Sequence, residues 1–174
     1  LTISQSAPAD EDADEPAIVG DVYFGAGADT MSLTAGRMDG DIYFGNGADR
    51  LIVHGAEFRG ALNTGDGQLE IDVEDATLAL GLTSQTHITS ARFGNGGVLN
   101  LVLDSDSTSS AALIATGEIA FEDGSELSVS LSELVGQSRE YRVLSAGTLT
   151  VVDESVILEA VDTPFLYTAN LERD

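Results

Sequence analysis

The sequence predicts an all-β protein whose chain coils into a parallel β-solenoid, and two patterns lead to this fold. One phrase occurs twice at an offset of 20 residues, as GDVYFGAGAD at residues 20–29 and GDIYFGNGAD at residues 40–49, and it continues weakly at Gly60, Gly65 and Gly67. Apolar and polar residues also alternate within each repeat, as they do along a strand. A repeat of this length is typical of stacked coils rather than of a fold with one centre.

Columns of apolar residues at the same offset indicate which side chains stack. The four columns are Val22, Ile42 and Leu62; Met31, Leu51 and Ile71; Leu33, Val53 and Val73; and Met38, Phe58 and Leu78. Each coil would lie on the last at about 4.8 Å, the ordinary spacing of paired strands. No coil could bury its apolar face alone, so stacking supplies the core. The Gly-x-Gly pairs are expected at the corners, because glycine adopts positive φ without a steric cost.

Taken in order, the chain divides into three predicted parts. Residues 1–17 are expected to be an acidic linker, because a run of carboxylates and two prolines cannot bury apolar surface. Residues 18–97 hold the regular coils of the solenoid. Within them, residues 83–90 are polar and interrupt the repeat, and residues 93–96 (FGNG) are expected to repeat the corner formed by residues 44–47.

Residues 98–174 are predicted to be a C-terminal cap with a hairpin, since a solenoid needs an atypical unit to close the end of its stack. Asp123 and Gly124 form a turn typical of hairpins, and Gly147 is expected at a corner between two strands. Strands are predicted at residues 98–103, 111–114, 117–121, 126–131, 156–161 and 164–171, and two more within residues 141–149, one on each side of the corner at Gly147. A turn is predicted at residues 104–110 and one helical turn at residues 132–136.

Charge and composition limit the possible partners. The chain of 174 residues carries 30 acidic residues against 7 basic ones, a formal charge of -23, and it has no cysteine. Such a charge disfavours binding to nucleic acid, whose phosphates it would repel, and to anionic lipid surfaces. No apolar run approaches the about 20 residues that a membrane-spanning helix needs. Because the sequence starts at Leu1 without a signal peptide, it is interpreted as a fragment of a longer protein.

Three short motifs follow one another in the C-terminal half: residues 117–127 (GEIAFEDGSEL), 141–147 (YRVLSAG) and 164–169 (PFLYTA). In this order they resemble the end of an autotransporter passenger domain, the autochaperone region that precedes the outer-membrane barrel. The resemblance covers about residues 98–174. The N-terminal repeats are similar to the β-helix coils of such passengers, which extends the resemblance to most of the chain.

This resemblance implies a right-handed parallel β-helix that is secreted from, or exposed on, a Gram-negative bacterium by type V secretion, after transit through the periplasm. The fragment would be a non-catalytic stem and folding nucleus, which folds first and templates the coils above it. The implied partners are the protein's own outer-membrane β-barrel and an upstream passenger segment, and the fragment itself would be a monomer that does not insert into a membrane. No cofactor is expected, and any enzyme or adhesin activity would lie upstream of Leu1.

A calcium-binding pattern competes with this interpretation. Residues 24–31 (FGAGADTM) and 44–51 (FGNGADRL) resemble the Gly-Gly-x-Gly-x-Asp nonapeptide of calcium-binding β-rolls, in which carboxylates and backbone carbonyls enclose the cation. The longer offset, the phenylalanine in place of the first glycine and Leu69 in place of a third aspartate depart from that pattern. Asp29 and Asp49 are therefore expected to cap the backbone of their corners, with weak calcium binding as the alternative.

A carbohydrate-active β-helix is a third hypothesis. Asp41 could pair with Asp21 or Asp39 as two catalytic carboxylates, but stacking at the ladder spacing favours a repeated structural role. A cleft for anionic sugars would need basic residues, and the arginines are scattered along the chain. His54 and His87 have no matching nucleophile. The sequence therefore predicts no catalytic residue and no metal ligand.

The aromatic pairs Tyr23–Phe24 and Tyr43–Phe44 are expected to stack on each other. One residue of each pair would point inward and the other outward, because side chains alternate along a strand. An outward tyrosine strip could bind carbohydrate or the edge of a partner protein, whereas packing within the protein is the favoured role.

Overall fold

The computed structural model describes residues 1–10, 12–82, 85–103, 111–131 and 141–152. Within these ranges all regular structure is β, in 17 strands that form three sheets, and no helix occurs. The prediction of an all-β protein is confirmed, and the many-stranded parallel sheets are those of a solenoid-like fold. The strands are numbered in chain order.

Each sheet collects one strand from successive repeats. Sheet A consists of β1 (Thr2–Gln5), β4 (Thr30–Leu33), β7 (Asp49–His54), β10 (Leu69–Glu74), β12 (Thr86–Ile88), β13 (Ser90–Phe93), β15 (Leu113–Phe121) and β17 (Leu144–Val151). Sheet B consists of β2 (Ala17–Val19), β5 (Arg37–Asp39), β8 (Glu57–Gly60), β11 (Ala76–Leu82), β14 (Gly97–Leu103) and β16 (Glu126–Leu131). Sheet C consists of β3 (Val22–Tyr23), β6 (Ile42–Tyr43) and β9 (Leu62–Asn63).

Each strand pairs with its counterpart in the next repeat, and every strand pair within the described ranges is parallel. In sheet A, Met31 pairs with Leu51, and Leu51 pairs with Ile71. The other three predicted apolar columns stand in register in the same way. In the first three repeats the chain passes from sheet A to sheet B to sheet C, so the sheets surround one continuous core.

Large aromatic side chains occupy the core along much of the stack. Phe44, Phe58, Phe93 and Phe121 are buried, and the rings of Phe93 and Phe121 stack with their centroids 4.9 Å apart. Near the other end, the centroids of Phe24 and Phe44 lie 5.2 Å apart. Each buried ring removes apolar surface from water, at roughly 25 cal/mol per Å². The columns are therefore a main source of stability as well as the signature of the repeat.

The corners need glycine where successive coils approach each other through their backbones. A Cβ atom added to Gly45 would lie 2.1 Å from the carbonyl oxygen of Gly25, and one added to Gly65 would lie 1.6 Å from that of Gly45. Gly45 and Gly65 also have positive φ, 73° and 56°, a conformation that other residues adopt only at a cost. The Gly-x-Gly repeat is thus a direct consequence of coil stacking.

The acidic N-terminal segment differs from the linker expected there. β1 lies at its start and pairs in parallel with β4. Gln5, at the end of β1, is buried, and its Nε2 donates to the carbonyl oxygens of Ala35 (2.7 Å) and Arg37 (3.2 Å). The acidic run therefore connects two strands, β1 and β2, instead of preceding the first one. The linker was predicted from the acidic run, which begins after β1, so the composition of that run carried no information about β1 itself.

The hairpin predicted in the C-terminal cap is wrong. A tight turn does form, with Gly124 at a φ of 76° and the backbone N–H of Ser125 donating to the carbonyl oxygen of Glu122 (3.1 Å). The strands on its two sides do not pair with each other, because β15 belongs to sheet A and β16 pairs with β14 in sheet B. Leu127 on β16 lies in register with Leu99 and extends the core column, whereas an isolated hairpin is only marginally stable.

The expected equivalence of the two FGNG corners is also wrong. Phe93 ends β13 and pairs with Val73 in sheet A, whereas Phe44 directly follows β6 in sheet C. Both motifs have a glycine with positive φ at their fourth residue, 135° at Gly47 and 68° at Gly96, whereas at the second residue only Gly45 has positive φ (73°). The FGNG motif therefore predicts a bend in the chain, and the pairing of the neighbouring strands determines at which corner of the coil that bend lies.

Gly147 does not form the predicted corner, because it lies inside the single strand β17. The pairing of β17 with β15 is irregular between Ala115 and Glu118, and Gly147 faces this irregularity. A Cβ atom added to Gly147 would lie 2.7 Å from the carbonyl oxygen of Thr116. The glycine is thus needed for a close backbone approach within the sheet.

The other predictions for the C-terminal half have mixed outcomes. The strands predicted at residues 98–103 and 126–131 are confirmed as β14 and β16, and those predicted at residues 111–114 and 117–121 form the single strand β15. The predicted turn at residues 104–110, helical turn at residues 132–136 and strands at residues 156–161 and 164–171 lie outside the described residues.

Candidate functional site

The residues singled out by the sequence motifs lie on sheet C and at its two corners. Asp21 and Asp41 precede β3 and β6, at the corner that follows sheet B. Asp29 and Asp49 lie at the corner that leads into sheet A. The structure thus brings most of the notable carboxylates of the first two coils to one side of the stack, arranged in two columns.

The column of Asp21 and Asp41 binds backbone amides of the following coil. The N–H of Asp41 donates to Asp21 Oδ1 (3.0 Å), and the N–H of Ala61 donates to Asp41 Oδ1 (2.8 Å). Each carboxylate therefore bridges two coils at a corner where the regular ladder is interrupted. This arrangement agrees with the expected structural ladder, since each carboxylate has a backbone partner that it would have to share with any substrate.

The column of Asp29 and Asp49 is buried, and it binds backbone in the opposite direction. The side chains belong to residues that are only 5% and 3% exposed. The N–H of Asp29 donates to Asp49 Oδ1 (2.8 Å), and the amino nitrogen of Leu1 lies 2.6 Å from Asp29 Oδ1. Asp49 thus caps the backbone of the corner in the preceding coil, whereas the sequence predicted that Asp29 and Asp49 each cap their own corner. Leu69, which replaces the third aspartate, lies in register with Asp49 and is fully buried.

One oxygen of each buried carboxylate has no partner. Asp29 Oδ2 and Asp49 Oδ2 are both inaccessible to solvent and make no hydrogen bond. Desolvation is the main cause that raises the pKa of Asp49 above its ordinary value, and the charges of Asp29 and Asp66 add to it. The hydrogen bond from the Asp29 N–H acts in the opposite sense but does not reverse the shift. Burial thus makes the ionised form of Asp49 costly.

The described residues contain no group of three or more His, Cys, Asp or Glu side chains that could hold a metal ion. Asp66 also acts on this corner, because its charge raises the pKa of Asp49, but its Oδ2 already accepts the N–H of Gly47 (3.0 Å). Calcium binding by Asp29 and Asp49 therefore lacks a complete carboxylate cage in this part of the chain, and it stays a prediction of the motif alone.

The aromatic pairs stack as the sequence predicts, with one column outside and one inside. The rings of Tyr23 and Tyr43 are nearly parallel, 6° apart in orientation with centroids 4.4 Å apart, and Tyr23 is 67% exposed. Phe24 and Phe44 stack on the core side. Desolvation, and then the neighbouring Tyr43 and Asp21, raise the pKa of Tyr23, so its hydroxyl group is protonated at neutral pH. The outer face of Tyr23 is the open end of this aromatic column.

The two histidines lie on different strands, β7 and β12, which do not pair with each other. His54 Nε2 lies 3.5 Å from Asp72 Oδ2, within an ion-pair cluster on the outer face of sheet A. Arg92 is the centre of this cluster, with contacts to Asp72 (3.0 Å) and Glu122 (2.7 Å). Sequence reasoning missed the cluster. The spacing of Asp72 and Arg92 matches the repeat and could have revealed that contact, whereas Glu122 belongs to an irregular coil.

The N-terminal end of the stack is open. β1, β2 and β3 are the outermost strands of their sheets within the described residues. Three large apolar residues on this first coil are strongly exposed: Leu1 (74%), Val19 (77%) and Tyr23 (67%). A Cβ atom on Gly25 would meet no atom within 4 Å, although the equivalent Gly45 is covered by a preceding coil. We call the outer edges of β1, β2 and β3, with these three side chains, the open face.

No protein-family model, curated protein or solved structure matches the chain. Among the described residues, no helix is long and apolar enough to cross a membrane.

Proposed function

We propose that the chain is the stem and folding nucleus of a secreted or surface-exposed autotransporter passenger from a Gram-negative bacterium. In this role it is non-catalytic, it is a monomer, and it works with an outer-membrane β-barrel and an upstream passenger segment. The C-terminal coils fold first and template the coils that precede them. The motifs of the C-terminal half suggest the family, and the distribution of strand pairing along the stack supports the mechanism.

The observation that carries this proposal is that the ladders of sheet B lengthen toward the C-terminus and that the longest ladder of sheet A is its last one. β15 pairs with β17 at seven positions, and β14 pairs with β16 at six. At the other end, β3 pairs with β6 at two positions, and β2 pairs with β5 at three. Long ladders offset more of the entropy that is lost when a coil is ordered. Folding of a stacked array therefore starts most readily at the C-terminal coils and spreads to the shorter ones.

The open face supports the second half of the mechanism. Its strand edges present unpaired backbone groups, which are a ready template for another parallel strand. The covering of Gly45 by Gly25 illustrates how one coil fits onto the next, while Gly25 itself is uncovered. A coil from an upstream passenger segment would continue the same sheets and cover the exposed Val19 and Tyr23.

The proposed coil is a right-handed parallel β-helix with turns of about 20 residues. Arg50 pairs with Thr30 and with Glu70, each 20 residues away, which supports this turn length in the regular coils. Ile119 pairs with Ala91, 28 residues before it, so later turns are longer. Right-handedness rests on the general rule that connections between parallel strands of one sheet are right-handed.

The composition suits passage through an outer-membrane pore. The chain has no cysteine, so no disulfide can lock a folded structure before export. Its formal charge of -23 limits aggregation while the chain is unfolded. The outward movement then draws on the free energy of folding outside the cell, which is largest where the ladders are longest.

Two matched substitutions test the folding order. Phe44→Leu and Phe121→Leu each replace one buried ring of a stacked pair by a smaller aliphatic side chain. Phe44 lies in the N-terminal coils and Phe121 in the C-terminal coils. Phe121→Leu should slow refolding from denaturant about three- to tenfold, because its contacts form in the nucleus. Phe44→Leu should mainly accelerate unfolding. Stopped-flow folding and unfolding rates measure both effects, and the opposite assignment would contradict the mechanism.

The same variants test the cellular role. The chain is fused ahead of an outer-membrane β-barrel, with a protease-sensitive reporter at its N-terminus, and the reporter's exposure on intact cells is measured. We expect Phe121→Leu to reduce exposure and Phe44→Leu to leave it close to the unmodified level. Equal export of both variants and the parent would show that folding of the C-terminal coils does not drive export.

A further inference from the structure

The buried Asp29–Asp49 pair has more negative charge than its surroundings can compensate. Each carboxylate has one oxygen that accepts a backbone or amino N–H and one oxygen, Oδ2, that is buried without a partner. A buried ionised carboxylate without full hydrogen bonding is costly, and two stacked ones repel each other. Some neutralising species is therefore needed at this corner of the stack.

The two aspartates differ in what faces them. The backbone nitrogen of Leu1 lies 2.6 Å from Asp29 Oδ1 and donates a hydrogen bond to it. Asp29 on the preceding coil and Asp66 on the following one both raise the pKa of Asp49 by their charges, and the N-terminal amino group lowers it by less. In register with Asp49 on β10 is the apolar Leu69. Asp49 is thus the member of the pair whose charge is least compensated.

A proton neutralises this site with fewer groups than a cation needs. Calcium takes six to eight oxygen ligands, and the described residues offer no group of three acidic or imidazole side chains here. A proton needs only one oxygen, and Asp49 Oδ2 is unoccupied by any hydrogen bond. The hydrogen bond from Asp29 N–H to Asp49 Oδ1 is compatible with a neutral carboxyl group, whose Oδ1 remains an acceptor.

We propose that Asp49 is a proton-binding site that couples the stability of the first two coils to pH, with the proton held on Oδ2. In the protonated state, the corner between sheet C and sheet A is neutral at Asp49 and the coils of Asp29 and Asp49 are held together. In the ionised state, repulsion from Asp29 and Asp66 loosens the N-terminal coils. The N-terminal coils, which carry the open face, are therefore more stable at low pH than at neutral pH.

The direction of the pH effect follows from linkage. Because the pKa of Asp49 is higher in the folded chain than in the unfolded chain, the folded chain binds the proton more tightly. The stabilisation from this group is complete below the ordinary aspartate pKa of about 4. It is lost as the pH rises through the raised pKa of Asp49 in the folded chain. Above that pKa, ionised Asp49 lowers the free energy of unfolding by a constant amount.

The decisive variant is Asp49→Asn, which removes the charge and keeps a side-chain oxygen for the Asp29 N–H. Its control is Asp41→Asn, because Asp41 also accepts a backbone N–H from an adjacent coil (2.8 Å from Ala61) but is only half-buried. Thermal unfolding of both variants and the parent is measured at pH 4 and pH 7. At pH 7 we expect Asp49→Asn to raise Tm by about 2–4 °C, and at pH 4 we expect no gain. The Tm of Asp41→Asn at the same two pH values gives the effect of replacing a corner carboxylate that is not fully buried, and it is subtracted from the effect of Asp49→Asn.

A second measurement does not depend on a variant that folds. The side-chain carboxyl carbons of the parent are followed by ¹³C NMR during a pH titration, and the midpoint of Asp49 should lie above the ordinary aspartate value of about 4. A midpoint for Asp49 at or below about 4 would overturn the proposal, as would an Asp49→Asn effect on Tm that is equal at both pH values.

Calcium chloride at 1 mM distinguishes the proton from a cation. We expect calcium to change the Tm of the parent at pH 7 by no more than it changes the Tm of Asp49→Asn. A rise of several degrees that is abolished by Asp49→Asn would assign the pair to a divalent cation and reject the proton site.

Discussion

The N-terminal and C-terminal coils of this protein differ in a way that separates regularity from stability. The N-terminal coils repeat their sequence most faithfully, yet their strands are short, and sheet C consists of three strands of two residues each. The C-terminal strands β15 and β17 have nine and eight residues and show little sequence repetition. The most recognisable repeat is therefore found where each coil contributes the fewest paired residues.

Corners explain this difference. The regular coils have three corners in each repeat. The glycines and aspartates at these corners leave fewer residues of each repeat for strands. Close backbone approach fixes these corner residues, which makes the sequence repeat visible. In the C-terminal coils, the described residues spend more of their length in ladders, where many apolar residues can substitute for one another. Sequence repetition thus reports steric constraint more than it reports stability.

The largest expected effect tests where the stack is open. Gly45→Ala should destabilise the protein by about 3–5 kcal/mol, because the added Cβ meets the backbone of Gly25 and the residue has positive φ. Gly25→Ala is the matched control, and we expect a change within about 0.5 kcal/mol, since no atom lies near the added group. Denaturant unfolding measures both values. Equal costs for the two variants would mean that the first coil is covered in solution.

A smaller effect compares packing at the two ends. Leu101 on β14 is fully buried, and its register partners are Leu80 and Val129 on the two neighbouring coils. Leu101→Ala should cost about 2–4 kcal/mol. Ile18 lies on the edge strand β2, is half-buried and pairs only with Met38, so Ile18→Ala should cost about 1 kcal/mol or less. If thermal or denaturant unfolding gave the larger loss for Ile18→Ala, the C-terminal coils could not be the more stable end.

The smallest expected effect concerns one corner between the two halves. Asp75 has a φ of 47° and is the one non-glycine residue with positive φ among the described residues. Asp75→Ala should cost about 1 kcal/mol, because alanine lacks the local hydrogen bonding that lets aspartate tolerate this conformation. Asp75→Gly should be neutral within about 0.5 kcal/mol, since relief of strain and the greater freedom of the unfolded chain offset each other. Equal losses for both variants would show that the carboxylate itself, and not the backbone, is required.

Much of the N-terminal fold could be predicted from the sequence because each coil is constrained by an identical neighbour. The column of Met31, Leu51 and Ile71 and the inward and outward aromatic pairs follow from a constant offset. The C-terminal half could not be predicted in this way. Its hairpin turn proved to be a corner, because the partner of β16 lies in an earlier coil at a different offset.

The candidate site was predictable in its identity and not in its environment. The repeated GxGxD phrase singled out Asp29 and Asp49, and residue type predicted that Asp49 binds a backbone N–H, although that N–H belongs to the preceding coil and not to its own corner. That both residues are buried, each with one unpartnered oxygen, could not be read from the sequence. An aspartate in a polar, glycine-rich phrase is usually exposed, and here the neighbouring coils exclude solvent from it.

The sequence by itself determined that the chain is β, where its regular coils stack, and which corners need glycine, because these depend on alternation and on contacts between equivalent residues. The tertiary structure decided which sheet each irregular strand joins, that a strand precedes the acidic run, and that Arg92 bridges Asp72 and Glu122. Those features depend on contacts between residues at unequal spacings. Where the repeat length is constant, the sequence predicts the pairing partner of each residue. Where the repeat length varies, the partner depends on how the strands pack.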